Sequence, residues 1–183
     1  MRHTLSCHPD FPSDTITGID VEIDFVPAGT FILRYNVIGA VECLALPEAT
    51  IPERADGLWK ETCFEAFIGK KDAPEYLELN LSPSSQWAVY AFDGYREGMR
   101  SPDLGHHPRV EIVSTANRFE LTGRVDLAGI PLLEAGSLEI ALTAVIAEKS
   151  GRKSLWALDH PSGSPDFHSR DCFLYNLKVA KSR

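Results

Sequence analysis

The sequence has little of what nucleic-acid binding, export or membrane insertion requires. Its 18 basic residues are outnumbered by 26 acidic ones, and the resulting net charge of −8 would repel a phosphate backbone. No apolar run approaches the length of a membrane span, and the amino-terminal stretch is polar and interrupted by prolines. We therefore expect a cytoplasmic protein that binds neither nucleic acid nor membranes; its oligomeric state does not follow from these features.

Signatures of disulfides and metal sites are also missing. The four cysteines are far apart and form no CxxC or Cys/His spacing of a structural zinc site. In a reducing compartment we expect free thiols that behave as small hydrophobes. The aspartates and histidines of "DHPSGSPDFHSRDC" (159–172) match no metal motif, so no metal site is predicted.

Catalytic motifs are equally scarce. The chain contains no GxSxG, P-loop, GxGxxG or HExxH sequence. Cys63 could be drawn as a nucleophile with a distant histidine, and Glu61 with Glu65 as a carboxylate pair, but neither arrangement has a supporting signature. No catalytic residue is predicted, and an enzyme is the less favoured hypothesis.

What the sequence does contain is a repeated alternation of apolar and polar residues with a period of two. "IDVEIDF" (19–25) and "YLELNLS" (76–82) separate apolar from polar side chains in the way typical of half-buried strands. Similar segments recur, mostly separated by Gly, Pro, Asn or Asp clusters, and they predict about ten strands and no long helix. With no linker in the sequence, one domain over 1–183 is expected. The predicted fold class is all-β, an antiparallel β-sandwich of jelly-roll type.

The segment "GLWKETCFEAFIG" (57–69) carries more polar chemistry than a strand needs for solubility. Read as a strand, it directs three apolar side chains toward a core: Phe64, Ala66 and Ile68. The opposite face would carry an indole, a thiol and two carboxylates, from Trp59, Cys63, Glu61 and Glu65. Asn80 and Glu78 would lie on the polar face of a strand that pairs with this one. Together these groups predict the lining of a ligand groove.

The two long loops and the tryptophans add further candidates. The loops 96–108 and 160–171 exceed the usual length of a connection, and long ordered loops on a β scaffold tend to carry function. Trp59, Trp87 and Trp156 each lie near a strand end, where an indole can stack on a sugar ring. Burial in the core is the alternative for all three, and more strongly for Trp87 and Trp156.

Three stretches follow one another in an order that resembles a known superfamily: "LWKETCFEAFIG", "YLELNLSPSSQWAVYAFDGY" and "LWALDHPSGSPDFHSRDCFLYNL". The chain resembles the DOMON-like superfamily, in particular its short bacterial members, and is similar to family-nine carbohydrate-binding modules. The positions that match that pattern are Trp59, Phe64, Glu65, Phe67, Tyr76 and Asn80. The resemblance spans most of the chain.

The resemblance implies a jelly-roll sandwich that binds a sugar or a haem. In the sugar-binding relatives two tryptophans sandwich a sugar ring, and a glutamate six residues after the first tryptophan holds hydroxyl groups. Trp59 and Glu65 match that spacing. The acidic residue common after the first tryptophan is replaced here by "KET" (60–62).

The predicted function is non-catalytic binding of a small carbohydrate or a similar polar ring ligand. Trp59 is the first stacking platform, and the second is Trp156, with Phe167 as its substitute. Hydrogen bonds to the ligand are assigned to four further residues: Glu65, Asn80, Arg96 and His168.

Two alternatives stay open. A haem-binding redox domain would need Met and His axial ligands, for which Met99 lies near His106 and His107 in one loop. The other alternative is an enzyme or a partner-binding protein of cell-wall or sugar metabolism. Apart from haem, no cofactor is expected.

Overall fold

A computed structural model describes residues 1–26, 29–116, 118–133 and 136–179, and within these ranges the chain forms eleven strands. The strands are β1 (Arg2–Cys7), β2 (Ile16–Val26), β3 (Thr30–Gly39), β4 (Cys63–Lys70), β5 (Tyr76–Leu81), β6 (Trp87–Phe92), β7 (Arg109–Thr115), β8 (Arg118–Asp126), β9 (Gly136–Ala147), β10 (Lys153–Ala157) and β11 (Tyr175–Val179). Short 3-10 turns lie between them, at Val41–Cys43, Leu58–Lys60, Pro131–Leu133 and Arg170–Cys172.

The strands form two antiparallel layers that are joined along β1. The hydrogen-bonded order is β6-β5-β4-β9-β10-β1-β2-β3-β8-β7, with β11 also paired to β9. The first four residues of β1, Arg2–Leu5, pair with β2, whereas Ser6 and Cys7 pair with β10. We call β1, β2, β3, β8 and β7 the first sheet, and β6, β5, β4, β9, β10 and β11 the second sheet. The predicted all-β antiparallel sandwich is confirmed, while the jelly-roll connectivity stays a prediction.

The main core lies between the two sheets. Phe64 of β4 packs against Tyr35 of β3 and Phe119 of β8, with ring centroids 5.1 and 5.8 Å apart. The Tyr35 hydroxyl donates to the backbone carbonyl of Glu65 and so ties the first sheet to β4. The alternating apolar residues of β4 and β5 all point into this core, as their period predicts: Phe64, Ala66, Ile68, Leu77, Leu79 and Leu81.

The outer face of the second sheet is buried as well. A second apolar cluster covers it, formed by Phe67, Tyr76, Ala88, Tyr90, Phe92, Ala141, Cys172 and Phe173. The segment between β10 and β11, residues 158–174, folds back over this face and supplies its last two members. Because both faces of the second sheet are covered, every residue of β5 and β6 is buried. β6 has apolar residues on both faces, as is typical of such strands, whereas β5 keeps its alternation.

Several local expectations have a structural outcome. The segment 137–148 forms a strand, β9, as predicted from its alternation. Strand β1 was not predicted, because Leu5 is its one buried residue and gives no alternating signal. No helix in the described residues is long and apolar enough to cross a membrane. The four cysteines are free thiols, and Cys63 and Cys172 are buried.

Candidate functional site

An open cavity of about 530 Å³ lies over the outer face of the second sheet. Its floor comes from five strands, β4, β5, β6, β9 and β10, and its walls from the turn at Leu58–Lys60 and from the two long loops. The lining residues are Trp59, Glu65, Phe67, Glu78, Tyr90, Phe92, Arg96, Met99, Val145, Lys153, Leu155, Pro165, Phe167 and His168. A cavity of this size fits a small ring ligand.

Glu65 provides a buried carboxyl group at the floor. Only 2% of the residue is exposed, and its Oε2 accepts a hydrogen bond from Thr143 Oγ1 at 3.2 Å. Its Oε1 is buried and has no hydrogen-bond partner among the described residues. Burial, together with the neighbouring charge of Glu78, raises the pKa of Glu65 to about 8. Glu65 therefore holds a proton at neutral pH for much of the time and keeps one oxygen available.

Glu78 is the second carboxyl group of the floor, on the strand next to Glu65. Asn80 Nδ2 donates to Glu78 Oε1 at 2.7 Å, and Asn80 Oδ1 accepts a contact from Cys63 Sγ at 3.5 Å. Burial raises the pKa of Glu78, although the bond from Asn80 and the charge of Arg96 oppose that effect. Burial also raises the pKa of Cys63 well above its ordinary value, so this thiol is a poor nucleophile.

Arg96 forms part of the wall through a fixed ion pair. Its guanidinium donates to Asp166 at 2.8 Å, and Tyr95 donates its hydroxyl to the same carboxylate at 2.7 Å. Burial alone would raise the pKa of Asp166, but these bonds and the backbone N–H of His168 outweigh it and lower the pKa. Arg96 has φ of 56°, a strained conformation for a residue with a side chain. The ion pair joins the two long loops.

His168 packs on the apolar floor as a neutral imidazole. Burial, and then the charge of Arg96, lower its pKa to about 4. The Tyr76 hydroxyl lies 2.8 Å from His168 Nδ1 and accepts the backbone N–H of Arg96 at 3.1 Å, so its own proton points to Nδ1. The imidazole proton is thereby assigned to Nε2, which lies 3.8 Å from Glu78 Oε2.

Aromatic side chains border the mouth of the cavity. Trp59 is 42% exposed, and its indole meets the ring of Tyr90 edge-on at 6.2 Å. Tyr90 donates its hydroxyl to Asp56 at 2.6 Å, which fixes the ring that supports Trp59. Phe167 is partly buried in the wall that comes from the segment 158–174. These rings offer apolar faces beside the polar floor.

Five of the seven predicted site residues line this cavity: Trp59, Glu65, Arg96, Phe167 and His168. Trp59 reaches it from the 3-10 turn at Leu58–Lys60 and not from a strand face, because β4 begins only at Cys63. The aromatic and charged floor residues Tyr90, Phe92 and Lys153 were not predicted. For Tyr90 and Phe92, the signal available in the sequence was that β6 has apolar residues on both faces.

Two predicted positions lie outside this cavity. Trp156 does not line the cavity, because in β10 the neighbouring residues Lys153 and Leu155 face it and Trp156 points into the main core. Its indole N–H donates to Ser154 Oγ at 2.9 Å, inside the protein. Asn80 is fully buried behind Glu78 and orients that carboxyl group, so it lies outside the lining as well.

The loop residues proposed for haem do not meet in one place. Met99 lines the cavity, whereas His106 and His107 line a separate groove beside β7. His107 packs against Trp87 instead, with ring centroids 5.3 Å apart. Haem binding stays a prediction, and a Soret band in the absorption spectrum of the purified protein would support it.

The wall carrying Phe167 and His168 is anchored by Arg170 lying across Gly69. Arg170 donates to the carbonyl of Lys70 at 2.7 Å and stacks over Phe173 at 4.6 Å. A Cβ on residue 69 would lie 1.6 Å from the Arg170 guanidinium, so a side chain there displaces the arginine.

We therefore expect Gly69→Ala to loosen the wall while the sandwich stays folded. The lost charge-assisted bond is worth about 1.5 kcal/mol or more, which predicts amide hydrogen exchange about tenfold faster in residues 160–174. Gly105→Ala is the matched control, since a Cβ at Gly105 meets no atom within 4 Å. Equal exchange in the two variants would contradict the anchoring role.

Comparison with known proteins finds solved structures with a similar fold, but no family model or curated protein that matches the sequence. The crystal structure of a proposed carbohydrate-binding protein from Bacteroides uniformis ATCC 8492 is similar, with a TM-score of 0.69 and 12% identity over 97% of this chain and 85% of that one.

Two further similar structures are family-nine carbohydrate-binding modules from Caldicellulosiruptor kristjanssonii. The complex with cellotriose has a TM-score of 0.55 and 12% identity, over 98% of this chain and 83% of the module. The complex with glucose has a TM-score of 0.53 and 12% identity, over 94% and 80%. At this identity the likeness establishes the fold, and membership of the DOMON-like superfamily stays a prediction.

Proposed function

We propose that this chain binds a small carbohydrate in the cavity over the second sheet. The observation that carries the proposal is that one cavity contains both Glu65 Oε1, a buried carboxyl oxygen with no hydrogen-bond partner among the described residues, and the half-exposed indole of Trp59. A sugar ring presents hydroxyl donors at its edge and apolar C–H groups on its face. The floor and the mouth of the cavity offer the complementary groups.

The residues have distinct roles in this proposal. Trp59 and Phe167 contact the apolar face of the ring, while Glu65 and Glu78 accept hydrogen bonds from its hydroxyl groups. The imidazole Nε2–H of His168 and the guanidinium of Arg96 are the available donors. The likeness of the fold to modules that were crystallised with cellotriose and with glucose supports this choice of ligand class.

Titration of intrinsic tryptophan fluorescence with glucose, cellotriose and other small sugars tests the proposal. Trp87 and Trp156 are buried in the main core, so a saturable change reports mainly on Trp59. Because Trp59→Ala removes the reporter itself, the affinity of that variant is measured by calorimetry.

We expect Trp59→Ala to weaken the binding of the responding sugar at least about tenfold, or about 1.4 kcal/mol. Phe11→Ala serves as the control, because Phe11 is an exposed aromatic residue that is not among the lining residues. Unchanged affinity in Trp59→Ala, or an equal loss in both variants, would count against a sugar site at this cavity.

A further inference from the structure

Among the described residues, the two floor carboxyl groups have no lysine or arginine within ion-pair distance. The one basic group within 4 Å of either is His168, which lies 3.8 Å from Glu78, while Arg96 acts on Glu78 only from farther away. That imidazole is neutral near pH 7, since burial lowers its pKa to about 4. Buried carboxylates without a paired charge are costly, so the floor is a place where a positive charge would be stabilised.

The two cations of the cavity are already engaged at its walls. Arg96 is paired with Asp166 at 2.8 Å, and Lys153 donates its ammonium group to the backbone carbonyl of Lys60. Neither group reaches the floor carboxyls within ion-pair distance in the described structure. The positive charge therefore stays at the walls, and the uncompensated charge of the floor is negative whenever Glu65 or Glu78 is ionised.

We propose that the cavity favours sugars that carry a protonated amine, and that Glu65 and Glu78 bind this ammonium group. The inference rests on the proposed sugar site and specifies its ligand class. An ammonium group brings three N–H donors and a full charge, whereas a hydroxyl brings one donor. Charge-assisted bonds to carboxylates are about twice as strong as neutral ones. Glu65 Oε1, which is buried and has no partner among the described residues, is the first acceptor.

The geometry around the two carboxyl groups suits a shared cation. Glu65 pairs with Asn80 across β4 and β5, and Phe67 pairs with Glu78, so the two glutamates stand on the same face at diagonal positions. Diagonal side chains on neighbouring strands lie within reach of one group placed between them. Thr143 and Asn80 hold one oxygen of each glutamate, which leaves the other oxygens for the ligand.

Calorimetry with three sugars that share one ring tests the inference. Glucose carries a hydroxyl, glucosamine an ammonium group and N-acetylglucosamine a neutral amide at the same carbon. In buffer near neutral pH we expect the native protein to bind glucosamine at least about tenfold more tightly than glucose, with N-acetylglucosamine no tighter than glucose.

Two variants test whether the carboxyl groups of the cavity floor cause the preference for glucosamine. Glu65→Gln, which keeps the shape of the side chain and cannot ionise, is expected to lower the ratio of glucosamine to glucose affinity at least about threefold, because Glu78 alone then remains to bind the ammonium group. Glu111→Gln, at an exposed glutamate of β7 outside this cavity, is expected to leave the ratio unchanged.

Each other outcome has a defined meaning. Glucose binding that equals or exceeds glucosamine binding overturns the ammonium inference and leaves the sugar site in place. A preference of undiminished size in Glu65→Gln also overturns it. Binding of none of the three sugars, in a protein whose circular dichroism shows a folded β structure, overturns the inference together with the proposed function.

Discussion

The free energy of unfolding of the native protein is expected to fall as the pH rises from about 4.5 to about 8, and in a Glu65→Gln variant most of this fall is expected to disappear. Glu65 is an acid whose pKa in the folded protein is raised from the ordinary 4.5 to about 8 by burial and by Glu78. Between these values the folded state binds more protons than the unfolded state, so stability is lost with rising pH.

The size of this effect makes it measurable. At about 1.4 kcal/mol per tenfold change, moving the pKa from 4.5 to about 8 costs the native protein about 5 kcal/mol once Glu65 is fully ionised. Urea unfolding at a series of pH values gives the curve directly. Glu78, whose pKa burial also raises, contributes in the same direction, so a smaller fall remains in the variant.

The matched control is Glu61→Gln, because Glu61 is exposed. Its free energy of unfolding is expected to follow the native curve across the pH range. A native curve that is flat from pH 4.5 to 8 would contradict the burial of an unpaired carboxyl group at Glu65. A cationic ligand that pairs with Glu65 would offset part of this penalty.

A Phe64→Ala variant is expected to lose about 3–5 kcal/mol of stability, because it opens a cavity at the centre of the main core. Phe64 is completely buried between Tyr35 and Phe119. The neighbouring rings belong to β3 and β8 of the other sheet, and the backbones of these two strands are hydrogen-bonded to each other, so the rings cannot collapse into the space. Denaturant unfolding should show a lower midpoint with the same slope.

Ile112→Ala provides the comparison, because Ile112 is 37% exposed on β7. We expect it to cost about 1 kcal/mol or less. If Phe64→Ala does not fold, Phe64→Leu supplies a milder change with an expected loss of about 1–2 kcal/mol. Equal losses at positions 64 and 112 would contradict the packing described for the core.

The strands and the inward side chains could be predicted from the sequence because both follow from local alternation. Leu77, Leu79 and Leu81 point into the main core as their spacing predicts. The pairing of the strand that carries Glu65 with the strand that carries Glu78 and Asn80 was also anticipated. The candidate loops were found by their length, and they bring Arg96, Phe167 and His168 to the cavity that contains Trp59 and Glu65.

Positions that depend on register or on distant segments could not be predicted in this way. Trp156 was assigned to the ligand by its place near the chain end, but the register of β10 turns Leu155 outward and Trp156 inward. A shift of one residue reverses the face of a strand, and nothing local in "SLWALDH" fixes that register. Asn80 shares the face of Glu65 as expected, yet only its contact with Glu78 shows that it lies behind the lining.

The sequence by itself determined that this chain is a β-sandwich with carboxyl groups and an indole near the start of β4, because side-chain alternation needs only neighbouring residues. The tertiary structure alone decided that the outer face of the second sheet is covered. The segment 158–174 folds over it and turns a solvated strand face into a cavity, in which Glu65 is buried and its Oε1 has no hydrogen-bond partner among the described residues. Burial depends on what a distant segment packs against, and that information is not present in the spacing of residues along one strand.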